Sequence, residues 1–460
     1  MRPEPDSGWS PEALRLLEHA WQRCGHYLGQ LGQRAVAASP AAIAALRRLD
    51  EPLPTRGNPP EKTLELLDQL VSPATSAMAG PRFFGFVIGG ALPAALAANW
   101  LAGSWDQNAA FFAPTPGVAR LEQLALRWLL ELFELPAETA AAFVTGATVA
   151  NFTALAAARH AVLARVGWNV EADGLFGAPP ISVIVGEEAH PSLLKALGML
   201  GLGRSRLVRV PVDAQGRMRA DALPVIAGPS ILCLQAGNVN TGASDPLAAL
   251  IAAGQQQGAW VHVDGAFGLW ARVSPPQRAQ VEGVERADSW ATDAHKWLNV
   301  PYDSGVALVR DAAALSAAMA VSADYLPGAG GERNPCDYTP ELSRRARGVE
   351  IWAALHSLGR AGIAELVQRN CAQAAEFAAR LEAAGYQVLN QVVLNQVLVS
   401  FGDAERTRAV VGALQREGTC WCGTTVWQGR TAMRISVSNW STQQHDVDRS
   451  VEAMLRVARA

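Results

Sequence analysis

The chain has 460 residues, half of them apolar and 18% charged, with a formal net charge of −3. This composition fits a well-buried globular protein rather than a disordered one, and the length exceeds what one core usually supports, so two lobes are expected. The charge balance excludes the basic footprint of a nucleic-acid or anionic-membrane binder.

The first residues, MRPEPDSGWSPEALRLLEHAW, are acidic and proline-bearing and contain no apolar signal core. Pro11–Leu31 and Pro40–Leu49 carry apolar residues near helical spacing, and EPLPTRGNPP (51–60) breaks the pattern. Residues 1–80 therefore read as a helical arm, with too little core for independence, that packs on another surface such as a second subunit. Phe83 to Trp105 holds no charged residue and is long enough on paper to span a bilayer. Its Gly85, Gly89, Gly90, Pro93 and Asn99, and the lack of a flanking basic cluster, favour a buried segment instead. No membrane association is expected.

From about residue 85 to 310, apolar strands alternate with helical stretches. Strands are predicted at Ile181–Val185, Leu207–Val212, Ile231–Leu234, Trp260–Val263, Ser289–Thr292 and Gly305–Val309, with a helix over Pro246–Gln257. Continuous apolar strands between helices indicate a mostly parallel sheet covered on both faces. Helical runs follow at Arg345–Leu358 and Ile363–Ala384, then strand-like Val392–Ser400 and Ala432–Val437. The reading is a large α/β domain over 81–355 and a small C-terminal α+β domain over 356–460. Thr139–Ala158 stands out only as alanine-rich. The six cysteines are scattered, and Cys420-Trp421-Cys422 lacks a second pair at zinc spacing, so no metal is expected and reduced, cytoplasmic thiols are the simpler reading.

The chemistry centres on ATDAHKWLNVPYDSG (291–305). Only three lysines occur, Lys62, Lys195 and Lys296, against 36 arginines. A chain that uses Arg wherever charge alone is wanted keeps a Lys for what a guanidinium cannot do, which is to lose its proton and attack a carbonyl. Lys296, flanked by His295 and Trp297, is read as a Schiff-base lysine. In WVHVDGAFG, Asp264 ends an apolar strand and Ala266 shares its face, a setting that suits a flat ring held by an ion pair at its edge. Val144-Thr145-Gly146-Ala147-Thr148 opens a helix, and helix starts seat phosphates; it is neither a Walker loop nor GxGxxG. His190, after a strand, either serves a structural role or stacks on a planar cofactor and influences proton transfer. Together a phosphate seat, a ring-edge Asp, a stacking His and an amine nucleophile describe pyridoxal 5′-phosphate.

TGATVAN (145–151), EEAHPS (187–192), GNVNTGASDPL (237–247), HVDGAFG (262–268) and DAHKW (293–297) stand in the order and spacing of the pyridoxal-phosphate-dependent group II amino acid decarboxylases. The chain resembles that family, which includes aromatic amino acid, glutamate, histidine and diaminobutyrate decarboxylases, from PRFFGF (81–86) to ELSRRARGVEIWAALHSLG (341–359). The resemblance implies the aspartate-aminotransferase type of fold, fold type I, with a mostly parallel seven-stranded sheet. It also implies a homodimer with active sites at the interface. An L-amino acid would lose carbon dioxide through an aldimine on Lys296, leaving the amine. Asp264 would pair with the ring nitrogen, His190 would stack on the ring, and Ala266 would lie beneath it. Ala147 and Thr148 would hold the phosphate, with Asn238, Asp293 and His295 nearby. Tyr325, in SADYLPGAGG (322–331), falls at the distance of the family's proton-donating loop tyrosine, with Tyr338 as competitor. Phe83, Phe84 and Phe86 either line a substrate pocket or pack in the core. Arg434 either grips a substrate carboxylate, as aminotransferases do, or pairs with a neighbouring acid. Transamination, aldehyde formation and a catalytically idle scaffold stay open beside decarboxylation, and the substrate is not legible.

Overall fold

The computed structural model describes residues 9–321 and 331–460. Seven strands build the large domain: β1 (Ala140–Val144), β2 (Ser182–Gly186), β3 (Val208–Val210), β4 (Ser230–Gln235), β5 (Trp260–Asp264), β6 (Ser289–Asp293) and β7 (Gly305–Val309). They lie in the order β1-β7-β6-β5-β4-β2-β3. β7 runs antiparallel to both its neighbours, and the other pairings are parallel. All five residues of β5, β6 and β7 are buried, which is why these strands read as continuous apolar runs. The mostly parallel sheet and the fold class expected from the sequence are both present.

β1 was not legible as a strand. Its sequence AAAFV favours a helix by propensity, but burial beside β7 overrides that weak preference. The alanine-rich helix that follows, Ala147–Ala164, lies on the sheet with Ala150, Ala154, Ala157 and Ala158 fully buried, and side chains this small allow close approach. Where β7 begins, Gly305 meets Gly146 so closely that a Cβ on Gly305 would lie 2.5 Å from the Gly146 Cα. That contact brings the start of the alanine helix beside the end of β6.

The small domain is a four-stranded antiparallel sheet of β8 (Gln387–Val388), β9 (Gln396–Ser400), β10 (Gly423–Trp427) and β11 (Arg430–Ser436), in the order β10-β11-β9-β8. Helices Ala404–Glu417 and Gln444–Arg459 cover it. The two predicted helical runs before it are one element, Gly348–Ala383, broken at Gly359, whose φ of 61° and ψ of 177° are not helical. Its second half contributes Ile363 and Val367 to the large core, and Ala374 and Phe377 to the small one.

The segment after the arm is pinned by Arg82. Its guanidinium is 2% exposed and reaches Asp446 at 3.2 Å, the Thr419 carbonyl at 2.7 Å and the Gly32 carbonyl at 2.9 Å. It thereby joins the arm, residues 81–86 and the small domain at one buried point. The arm's first helix, Pro11–Gln30, is open, although Leu31, Val36 and Ala77 pack with Phe83 and Ile88. That helix has no buried residue, and Trp9, Leu14, Leu17 and Trp21 are all exposed. Residues 83–105 do not form a single span: a loop precedes the helix Pro93–Trp105, and among the described residues no helix is long and apolar enough to cross a membrane.

Candidate active site

The C-terminal ends of β2, β4, β5 and β6 open toward one cavity of about 600 Å³, the usual place for a ligand in a parallel sheet. β10, β11 and their turn close it from the small domain through Thr425, Trp427, Gln428 and Arg434. Lys296, Asp264, Ala266, His190, Phe86 and Arg434 all line it. Six of the sequence-predicted residues, scattered over 350 positions, thus meet on one surface.

Lys296 sits in a tight loop that starts where β6 ends. The Ala294 and His295 amides both donate to the Ser304 carbonyl at 3.1 Å, and the Ser304 amide donates to His295 Nδ1 at 3.0 Å. Lys296 Nζ lies 2.9 Å from Asp293 Oδ2, and the other oxygen of Asp293 accepts the Ala147 amide at 2.6 Å. One buried carboxylate therefore ties the amine to the start of the alanine helix, where Thr148 also lies. His295 Nε2 stands 3.5 Å from Asp293, and its ring stacks on Tyr302 at 4.3 Å. Burial holds the His295 imidazole below its ordinary pKa, with Lys296 acting in the same direction.

Asp264 is buried at the end of β5. It accepts from the Ala266 amide at 3.2 Å and from Asn151 Nδ2 at 3.2 Å. Burial pushes its carboxyl above the usual range, against the pull of His190 and Lys296. Among the described residues no cation lies within salt-bridge distance of it. His190 caps the helix Pro191–Met199: the Ser192 amide donates to its Nδ1 at 3.2 Å, which leaves the ring proton on Nε2. Burial is the largest influence on His190 and lowers its pKa, so the ring is neutral near pH 7.

Arg434 on β11 donates to the Val239 carbonyl at 3.2 Å. Among the described residues no carboxylate lies within 4 Å of it, so the pairing with an acid considered from the sequence is not made there. Of the three phenylalanines only Phe86 faces the cavity. Phe83 stacks on Trp421 at 4.9 Å, and Phe84 packs edge-on against Phe377 at 5.1 Å in the small domain's core. The chain turns at this point because Phe86 and Val87 both take left-handed backbone, φ 58° and 57°, which bulky residues rarely adopt. Asn238 does not line the cavity. Its side-chain oxygen accepts the Asn240 and Thr241 amides, and its nitrogen donates to Glu188, so it shapes the loop rather than facing a ligand. Tyr325 lies outside the described residues. Tyr338 packs under Arg333, 4.1 Å from guanidinium to ring centre, against the cluster of the alanine helix and away from the cavity lining.

Sequence reasoning missed several contributors. Glu188 lines the cavity and accepts from Asn238, Trp427 Nε1 and Gln428 Nε2 at 2.9–3.0 Å, joining the two domains across the mouth. Asn299 is fully buried with φ 56°. Its oxygen accepts the Gly90 and Trp440 amides, and its nitrogen donates to the Trp297 and Ser438 carbonyls. It fastens the lysine loop to the segment before Pro93 and to the small domain. Gly89 is needed in the same contact, since a Cβ there would lie 1.9 Å from the Lys296 carbonyl oxygen. The signal for Asn299 was its place in HKWLN, since Asn is the residue most tolerant of left-handed backbone after Gly.

These residues fit pyridoxal 5′-phosphate. A buried carboxylate without a cation suits a protonated ring nitrogen, and the helix start at Ala147 and Thr148 has no capping side chain from Gly146, the kind of end that suits an anion. The amine of Lys296 opens on the same cavity.

Comparison with known proteins agrees with this chemistry. The pyridoxal-dependent decarboxylase conserved domain matches residues 44–402. Tryptophan decarboxylase 1 of Oryza sativa subsp. japonica is 27% identical over 86% of this chain and 83% of its own length. L-2,4-Diaminobutyrate decarboxylase of Rhizobium meliloti is 31% identical over 79% of this chain and 73% of its own. The crystal structure of Oryza sativa TDC with PLP and tryptamine superimposes with a TM-score of 0.90 at 23% identity, covering 99% of each chain. The chain belongs to the pyridoxal-phosphate-dependent group II amino acid decarboxylases, with pyridoxal 5′-phosphate as its cofactor.

Proposed function

We propose that the chain converts an L-amino acid to the corresponding amine and carbon dioxide. The observation that carries this reading is the meeting of the Lys296 amine and the cation-free Asp264 carboxylate on one cavity with a largely apolar wall. When bound, the cofactor supplies an electron sink for charge developing at the substrate's Cα. Asp264, acceptor-only when ionised, holds a proton on the ring nitrogen. Lys296 would hold the cofactor through its Nζ, which Asp293 aims by accepting from it at 2.9 Å. His190, kept neutral by burial, presents a ring face and an Nε2 proton rather than a repelling charge. Phe86, Val87, Phe267 and Trp427 give the cavity an apolar wall suited to a large side chain. Arg434 holds a substrate carboxylate, the charge suited to a guanidinium that meets no carboxylate among the described residues. The final proton to Cα is assigned to Tyr325 on its resemblance in position to the family's loop tyrosine, and its competitor Tyr338 packs under Arg333.

The exposed apolar side of the arm, Leu14, Leu17 and Trp21, is assigned to a second copy of the chain, giving a homodimer. A cytoplasmic location accords with six free cysteines, five of them buried.

The reading is tested by supplying the loaded protein with a panel of L-amino acids, tryptophan and 2,4-diaminobutyrate included, and measuring carbon dioxide, amine and keto acid together. Equal amounts of carbon dioxide and amine are expected from at least one. Keto acid without carbon dioxide would replace decarboxylation by transamination, with Arg434 setting the orientation. In the same assay Tyr325→Phe should keep cofactor binding and lower amine yield, and unchanged yield would move the proton donor to His190 or Lys296. Arg434→Gln should raise KM by roughly 10- to 100-fold, the loss of a charged hydrogen-bonded contact, with cofactor affinity unchanged. An unaltered KM would remove Arg434 from substrate binding. Deleting residues 1–75 should yield a monomer in sedimentation, and a persisting dimer would show that the arm is not the interface.

A further inference from the structure

A line of buried polar groups runs through the sheet behind Asp264. Trp260, His262 and Asp264 alternate along β5 on one face, and Ser289 lies beside His262 in the parallel register with β6. Trp260 Nε1 donates to Ser289 Oγ at 2.8 Å, and Ser289 Oγ is 2.9 Å from His262 Nδ1. His262 Nε2 is 2.8 Å from Asn151 Oδ1, and Asn151 Nδ2 is 3.2 Å from Asp264 Oδ2. Ser289, His262 and Asn151 are completely buried and Trp260 is 2% exposed.

The direction of every bond in this line is determined by its ends. An indole N–H can only donate, and an ionised carboxylate can only accept. Because Ser289 Oγ accepts from Trp260, its single proton is free to point at His262 Nδ1. A neutral His262 then carries its proton on Nε2 and donates to Asn151 Oδ1. The Asn151 amide is thereby oriented with its NH₂ toward Asp264. Burial without a charged neighbour keeps His262 neutral, with its pKa pushed down to about 3. The opposite arrangement would leave the Ser289 proton without a partner and set the Asn151 oxygen against the carboxylate.

We propose that Ser289, His262 and Asn151 form a one-way donor line that orients the Asp264 carboxylate and keeps it ionised, so that all three are positioning residues for the cofactor's ring nitrogen. The proposal rests on the assignment of Asp264 to that nitrogen. None of the three lines the cavity, so they act through Asp264 alone.

The test compares two cofactors on apo-protein prepared from the loaded enzyme: pyridoxal 5′-phosphate and its 1-deaza analogue, in which C–H replaces the ring nitrogen. Dissociation constants are read from quenching of tryptophan fluorescence. The wild type should prefer the natural cofactor. Asn151→Ala and Ser289→Ala should lower that preference by about tenfold, the size of one hydrogen bond to a charged group, while binding the analogue as the wild type does. Ser289→Thr, which keeps the hydroxyl, should restore the preference. Independently, ¹⁵N-edited spectra of the histidines should show His262 as the Nε2–H tautomer in the wild type and lose that signature in Ser289→Ala, which removes only one oxygen. No preference in the wild type would overturn the assignment of Asp264 itself, and the donor line with it. A preference that survives in both variants, or an equal loss for both cofactors, would overturn the donor line alone and leave these residues as packing. An Nδ1–H tautomer in the wild type would overturn it as well.

Discussion

The Asp293 carboxylate is the contact through which the site is assembled. Its two oxygens join a backbone amide at the start of the alanine helix to the amine of Lys296, across 146 positions of sequence in the first case and three in the second. A buried carboxylate that lost these donors would be costly, so the helix start and the lysine loop are held to a common geometry. The close packing of Gly305 on Gly146 belongs to the same arrangement, because β7 must pass within van der Waals reach of the helix entry for Asp293 to reach it. From that point Asp264 follows by strand register, since β5 and β6 pair Asp264 with Ala291.

The second domain completes the cavity rather than merely adjoining it. Trp427, Gln428 and Arg434 come from β10, β11 and their turn, and Glu188 and Val239 of the large domain receive their hydrogen bonds. Asn299 makes a comparable junction on the other side of Lys296, bonding to both Gly90 and Trp440. The lysine loop is therefore fastened to both domains, and movement of the small domain would be felt at Lys296 through Asn299.

Much of this was legible because the physics left traces in the local sequence. Strands buried on both faces read as apolar runs, and the rarity of lysine marked Lys296 before any partner was known. Asp264 and Ala266 could be placed on one strand face by their spacing alone. Other features depended on contacts too distant in sequence to be inferred. Phe83 and Phe84 belong with Trp421 and Phe377, more than 290 positions away, and nothing local separates them from Phe86. β1 was hidden by its alanines. Asn238 sat in a matching motif, yet its side chain is taken up by its own loop. His262 and Asn151 lay inside quoted motifs, but their relation to Asp264 appears only when helix and sheet are packed together.

Lys296, and no other amine of the chain, is proposed to bear the cofactor. Borohydride reduction of the loaded enzyme fixes the cofactor's carbonyl carbon to whichever amine holds it, and peptide mass spectrometry locates the added mass. With only three lysines in the chain the outcome has few alternatives. The added mass is predicted on the peptide containing Lys296. Its appearance on Lys62 or Lys195, or its absence from all three, would contradict the account.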